Sequence, residues 1–183
     1  MSEFEFAFSL FGLLLGLALA EGLGGLARAL KASHSVRIGW LTALLGIFVS
    51  CDVVTFWVYG WSMKTLISFS WPSLFAGFVV TAIYYVSASL IFPDDPEDWR
   101  DLDGHFWKHR RKVLGGVVLC NAALLATVLG FGLMPNPWEI RTLVITWAFF
   151  PLSAVAAISN SRPVVIAALA SLVLLYPLSI LWT

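Results

Sequence analysis

A chain of 183 residues that is 60% hydrophobic and 12% charged is not a water-soluble domain, which runs about 45–50% apolar and about 25% charged. Its mean hydropathy of +0.88 makes lipid the expected solvent for folding. A formal net charge of zero gives no electrostatic reason to expect a nucleic-acid partner.

A membrane-crossing helix needs about 20 mostly apolar residues, and six segments supply them. The first is 5–29, and the residues ahead of its apolar run include Glu3 and Glu5 but no Lys or Arg. Secretory leaders want a basic start, so this run reads as a retained first transmembrane helix despite the small residues at Ala18 and Ala20. Within it, Glu21, Gly25 and Arg28 share a face, and Gly12 and Gly16 form a G-x-x-x-G pair that suits close helix packing.

The second span, 37–60, holds Asp52, aligned with Thr55 and Tyr59 at helical spacing. The third, 67–91, carries a stripe of Ser70, Ser73, Gly77, Thr81 and Tyr84. Such stripes glue helices together in lipid as readily as they line a path. The fourth, 112–133, contains Asn121. The fifth, 141–159, and the sixth, 163–182, are mainly apolar and are expected to act as support. They are separated by the polar turn Ser159–Pro163, with proline suited to the start of a helix. Pro72, Pro151 and Pro177 fall in or near the third, fifth and sixth spans, where each removes a backbone donor and can kink a helix.

Between the two apolar halves lies Phe92–Lys112, with 11 of the 22 charged residues. Acids come first (Asp94, Asp95, Glu97, Asp98, Asp101, Asp103) and bases last (Lys108, Arg110, Arg111, Lys112), the order a helix dipole favours. With Trp99, Leu102 and Phe106 on one face, an amphipathic helix at the membrane interface is expected, its basic end running into the fourth span. Its basic end is placed to contact anionic lipid head groups through Lys108, Arg110, Arg111 and Lys112. Asp101, His105 and His109 follow at four-residue spacing, a weak metal-ligand pattern with no second ligand cluster beside it. No metal or other cofactor is therefore expected.

Lys and Arg distribute nine to two between alternate connections. The positive-inside rule then puts the charged stretch in the cytoplasm and both termini on the periplasmic or extracellular side of the cell (inner) membrane. The expected fold is an all-α, polytopic integral membrane bundle of six transmembrane helices, with a short amphipathic interfacial helix between the third and fourth. It forms one domain over 1–183, divided into 1–91, 92–112 and 113–183.

Ionisable residues inside a membrane mark functional positions by default. At about 1.5 Å per residue, Glu21 and Asp52 sit roughly 10 Å apart along the membrane normal. They read as two stations on one pathway rather than one site. The expected pathway comprises Glu21, Asp52, Thr55, Tyr59, Ser73, Thr81, Tyr84 and Asn121, serving a small channel or carrier for a cation or proton, as an oligomer. The alternative is a non-catalytic membrane subunit or scaffold that binds other membrane proteins or lipids. Enzymatic or redox chemistry ranks last. The sequence has no Cys-x-x-Cys, G-x-S-x-G, Walker-type or dinucleotide glycine pattern, and His34, His105 and His109 lie in loops or at the interface. Cys51 and Cys120 read as small packing residues.

Overall fold

The computed structural model describes residues 3–67, 70–99 and 101–182. Arg100, counted above among the basic residues, lies outside them. The described chain is all-α. Six helices are long and apolar enough to cross a membrane: α1 (Glu3–Lys31), α2 (Trp40–Ser62), α3 (Trp71–Ser89), α4 (Leu102–Gly130), α5 (Ile140–Ile158) and α6 (Arg162–Leu181).

Helix α2 is the axis of the bundle. Its most apolar window is 44% buried against 22% for each of the others. Leu41, Leu45, Phe48, Val49 and Val53 on it are all within 1% of full burial. Helices α1, α4 and α6 pack directly on α2, while α3 is held mainly between α1 and α4. The outward faces stay apolar. Trp40 at one end of the bundle, and Trp71 and Trp138 at the other, are 72%, 76% and 82% exposed.

Close approaches between helices rest on glycine. A Cβ on Gly25 would lie 2.5 Å from the Phe92 ring. Glycine there lets Phe92, only 4% exposed, wedge between α1 and α2.

The charged stretch departs from expectation. Pro96–Asp98 makes a single tight turn, and no separate interfacial helix forms among the described residues. Asp101 then caps α4 with its own carboxylate, Oδ1 accepting from Asp103 N at 2.9 Å. From Leu102 the helix runs without a break into the fourth span. The reason is packing: Leu102, Phe106 and Val113 are each at most 1% exposed. The face expected to lie on lipid is therefore core, and the bases extend α4 at its start.

The prolines act unequally. Pro72 sits in the first turn of α3 behind a Ser70–Ser73 capping box, where a missing N–H costs nothing. Pro151 leaves the Trp147 carbonyl without its usual donor, and the chain just ahead widens into a π turn over Leu143–Trp147. There Ala148 N donates to Leu143 O at 3.0 Å. Such turns replace lost α-helical bonds and recur at functional sites. Pro177 lies inside α6.

Candidate functional site

Four helices deliver one polar cluster to the middle of this apolar bundle. Asp52, 3% exposed, lies about 15 Å below the C-terminal end of α2 at 1.5 Å per residue. Its Oδ2 accepts from the Tyr84 hydroxyl of α3 at 2.7 Å and from Asn121 Nδ2 of α4 at 2.8 Å. Its Oδ1 accepts from the Tyr176 hydroxyl of α6 at 2.8 Å. Asn121 Nδ2 is also 3.3 Å from the Tyr84 oxygen and 3.1 Å from Val117 O. Ring packing aims both phenols: Tyr84 lies against Phe56 at 5.0 Å between centroids, and Tyr176 against Phe48 at 6.3 Å.

A carboxylate removed from water needs replacement partners or a counter-charge. The three donors here replace water, yet all are neutral, so the negative charge is solvated without being cancelled.

Asp52 also forms the floor of a cavity of about 430 Å³. The cavity lies among α2, α4, α5 and α6 and reaches the bundle end where α2 and α6 finish and α5 begins. Thr55, Asn121 and Tyr176 join Asp52 at depth. Leu124, Ile145, Phe149 and Phe150 make apolar walls, and the π turn contributes Ile145 and Thr146. Tyr59, Ser62 and Arg141 stand toward the mouth. Arg141 is tied to the end of α6, its Nε donating to Trp182 O at 2.7 Å and its Nη2 to Ser179 O at 3.5 Å.

The structure thus gathers Asp52, Thr55, Tyr59, Tyr84 and Asn121 from the expected pathway. Helix α4 starts ten residues before the expected fourth span and sets Asn121 level with Asp52. Three residues do not join them. Glu21 lies outside the cavity lining and pairs with Arg28 on its own helix at 3.9 Å, both side chains being over a third exposed. The two-station path is not the arrangement found. Ser73 is spent in the capping box of α3, its Oγ accepting from Ser70 N at 3.0 Å and its N–H donating to Ser70 Oγ at 3.4 Å. Thr81 turns back onto its own helix, Oγ1 donating to Gly77 O at 2.9 Å. A Cβ on Gly77 would lie 2.5 Å from the Phe11 ring of α1, so this stripe packs helices. Tyr176 went unread because the sixth span otherwise looks like apolar support. Its one signal is a phenol beside a proline, Tyr176–Pro177, within a transmembrane segment.

The opposite end of the bundle is closed by the charged stretch. Asp103, 3% exposed, caps α2 from another helix: its Oδ1 accepts from Leu41 N at 3.2 Å and Thr42 N at 3.4 Å. Its Oδ2 pairs with Arg162 at the start of α6. Thr42 Oγ1 donates to Leu102 O at 2.8 Å. Arg110 reaches the end of α5, donating to the carbonyls of Ala156 and Ser159 and to Asn160 Oδ1, and its guanidinium lies over Trp107 at 4.2 Å. Arg110 is therefore a buried helix clamp and not a head-group contact. Lys108, Arg111 and Lys112 remain exposed. Asp101 is spent on its cap. His105 Nε2 faces Leu90 O at 3.1 Å, and its ring lies 4.2 Å from that of His109. Among the described residues no three His, Cys, Asp or Glu are arranged to hold a metal.

Comparison with protein-family models, curated proteins and solved structures finds no match to this chain. The class that fold and site define is an all-α bundle of six membrane-length helices around a hydrogen-bonded carboxylate.

Proposed function

We propose that this chain is an integral membrane protein that binds a cation or proton at Asp52 and carries it across the bilayer. The supporting observation is the carboxylate itself: buried at mid-bundle, contacted by neutral donors, on the floor of a cavity that opens at one end. An unneutralised charge enclosed in a low-dielectric bundle is costly. Closing the cavity over Asp52 therefore demands a positive charge, and a proton or a cation supplies it. The clamp around Asp103 and Arg110 seals the other end, which suits one access state of a carrier. The π turn of α5 lies beside the site, and such local irregularities recur at functional positions.

Both ends of the chain are placed outside and the charged stretch in the cytoplasm, on the Lys/Arg bias. Exposed tryptophans at both ends fit the two interfaces, and Lys108, Arg111 and Lys112 then face anionic head groups. Reporter fusions at residue 183 and at residue 95 test this, and activity of both on the same side refutes it.

The test of function is reconstitution into liposomes with an imposed pH or cation gradient. Asp52→Asn keeps the side-chain shape and removes the charge. It is expected to abolish flux, and wild-type flux in this variant rules out the proposal.

One observation favours a second reading, a membrane subunit. The half-exposed Glu21–Arg28 pair on the outer face of α1 suits burial against another helix, from a second copy or a different membrane protein. The mass of the particle in nanodiscs distinguishes a lone chain from an assembly.

A further inference from the structure

The chemistry around Asp52 narrows the class of cation, on the reading that Asp52 is the charged binding group. A carboxylate offers about four lone-pair positions. Three are taken, by Tyr84, Asn121 and Tyr176. One N–H donor can be added, whereas a hard cation such as Ca²⁺ or Mg²⁺ needs about six or more oxygens. The lining offers few: beyond Asp52, the polar groups away from the mouth are Thr55, Asn121, Thr146 and Tyr176, and Thr55 Oγ1 is turned to Cys51 O at 2.9 Å. Most of the remaining wall is apolar side chain.

The same wall suits an organic ion. Phe149, Phe150 and Tyr176 place aromatic rings in the lining, and aromatic faces attract alkylammonium groups. The 430 Å³ volume lies within the roughly 300–1,000 Å³ typical of small-molecule sites. At the mouth, the Arg141 guanidinium is held by the Trp182 and Ser179 carbonyls. It repels a second positive charge at the far end of a ligand. We infer that the cavity takes an organic monoammonium ion, its nitrogen on Asp52 and its apolar body among Leu124, Ile145 and Phe150.

Binding to the purified full-length chain in nanodiscs tests this with four probes: 4-phenylbutylammonium, neutral 4-phenylbutanol, 1,8-diammoniooctane and potassium. The expected result is that 4-phenylbutylammonium binds at least tenfold more tightly than the alcohol. Asp52→Asn reduces that preference to less than twofold. The diammonium binds at least fivefold more weakly than the monoammonium and recovers in Arg141→Gln. Ile145→Trp fills the cavity without touching the carboxylate and is expected to remove amine binding. It keeps the test decisive if Asp52→Asn does not fold. Equal affinity for amine and alcohol in the wild-type chain overturns the inference. So does amine binding that survives Ile145→Trp. Proton or potassium flux that depends on Asp52, with no preference for the amine, overturns this inference alone and leaves the carrier reading standing. Flux indifferent to Asp52→Asn removes the carrier reading itself.

Discussion

Tyr84→Phe and Tyr176→Phe make the same chemical cut, one hydroxyl donor lost from Asp52, and should not cost the same. Both rings keep their packing, on Phe56 and Phe48 respectively. Tyr84 is fully buried and does not line the cavity, so no water can replace its hydroxyl. Its loss forfeits a hydrogen bond to a charged group, about 1.5–3 kcal/mol. Tyr176 lines the cavity together with Asp52. Water entering there can donate to Oδ1 in its place, nearly as well as a direct bond. The net cost of Tyr176→Phe is then under about 1 kcal/mol. Equilibrium unfolding of the two variants in mixed micelles, measured against wild type, gives both numbers. Tyr84→Phe is expected to be the more damaging by about 0.5 kcal/mol or more. Equal losses, or a greater loss at Tyr176, would show that water does not reach Asp52, and the argument for a hydrated site would fail.

Cysteine substitution separates lining from packing. Thr55→Cys lines the cavity and should react with a small hydrophilic thiol reagent, in a background with Cys51 and Cys120 changed to Ala. Thr81→Cys, at a position 1% exposed, should stay unmodified, and labelling of both at similar rates would contradict the assignment. At the sealed end, a Cβ on Gly39 would lie 1.8 Å from Asp103 Oδ1. Gly39→Ala is therefore expected to destabilise by about 1–3 kcal/mol, the usual cost of overpacking. Gly115→Ala, where a Cβ meets nothing within 4 Å, should be neutral in the same melting assay. If Gly39→Ala melts with wild type, the closeness of Asp103 to α2 is wrong.

The helix count was legible because hydropathy over some 20 residues is a collective signal that local detail does not disturb. Asp52 was legible because an acid in an apolar run must be accommodated by something. Tyr84 and Asn121 were marked as polar, but their convergence on Asp52 depends on rotation and depth, which single-helix periodicity leaves open. The start of α4 shows the difficulty. Charge order and the apolar face suggested a helix lying in the interface before its basic end entered the fourth span, and burial of Leu102 and Phe106 overrode it. Glu21 shows the converse. An acid in a span need not face the interior when a base two turns away on the same helix can reach it, as Arg28 does. Tyr176 was hidden because its neighbours are uniformly apolar and its partner lies 124 residues away.

The two polar layers of the bundle are tied by common helices. Helix α2 carries Asp52 and, at its start, the Leu41 and Thr42 amides held by Asp103. Helix α4 carries Asn121 and also Asp103 and Arg110. Helix α6 carries Tyr176 and, at its start, Arg162. Three rigid rods are thus pinned twice, once at mid-bundle and once at the sealed end. Two pins fix both the rotation and the height of each rod, which a uniformly apolar seam does not do. Hydrocarbon side chains slide past one another at little cost, whereas a buried hydrogen bond misplaced by an ångström leaves a polar group unsatisfied. The clamp is therefore more than a lid: it sets the register in which Asn121 and Tyr176 reach the carboxylate on α2. Helix α5 is held at its two ends, by Arg110 at its finish and by Arg141 reaching the end of α6 at its start, and carries the π turn between them along the cavity wall. Of the helices lining the cavity it alone places no side chain on Asp52, so it is the one able to change the shape of the cavity without disturbing the carboxylate's partners.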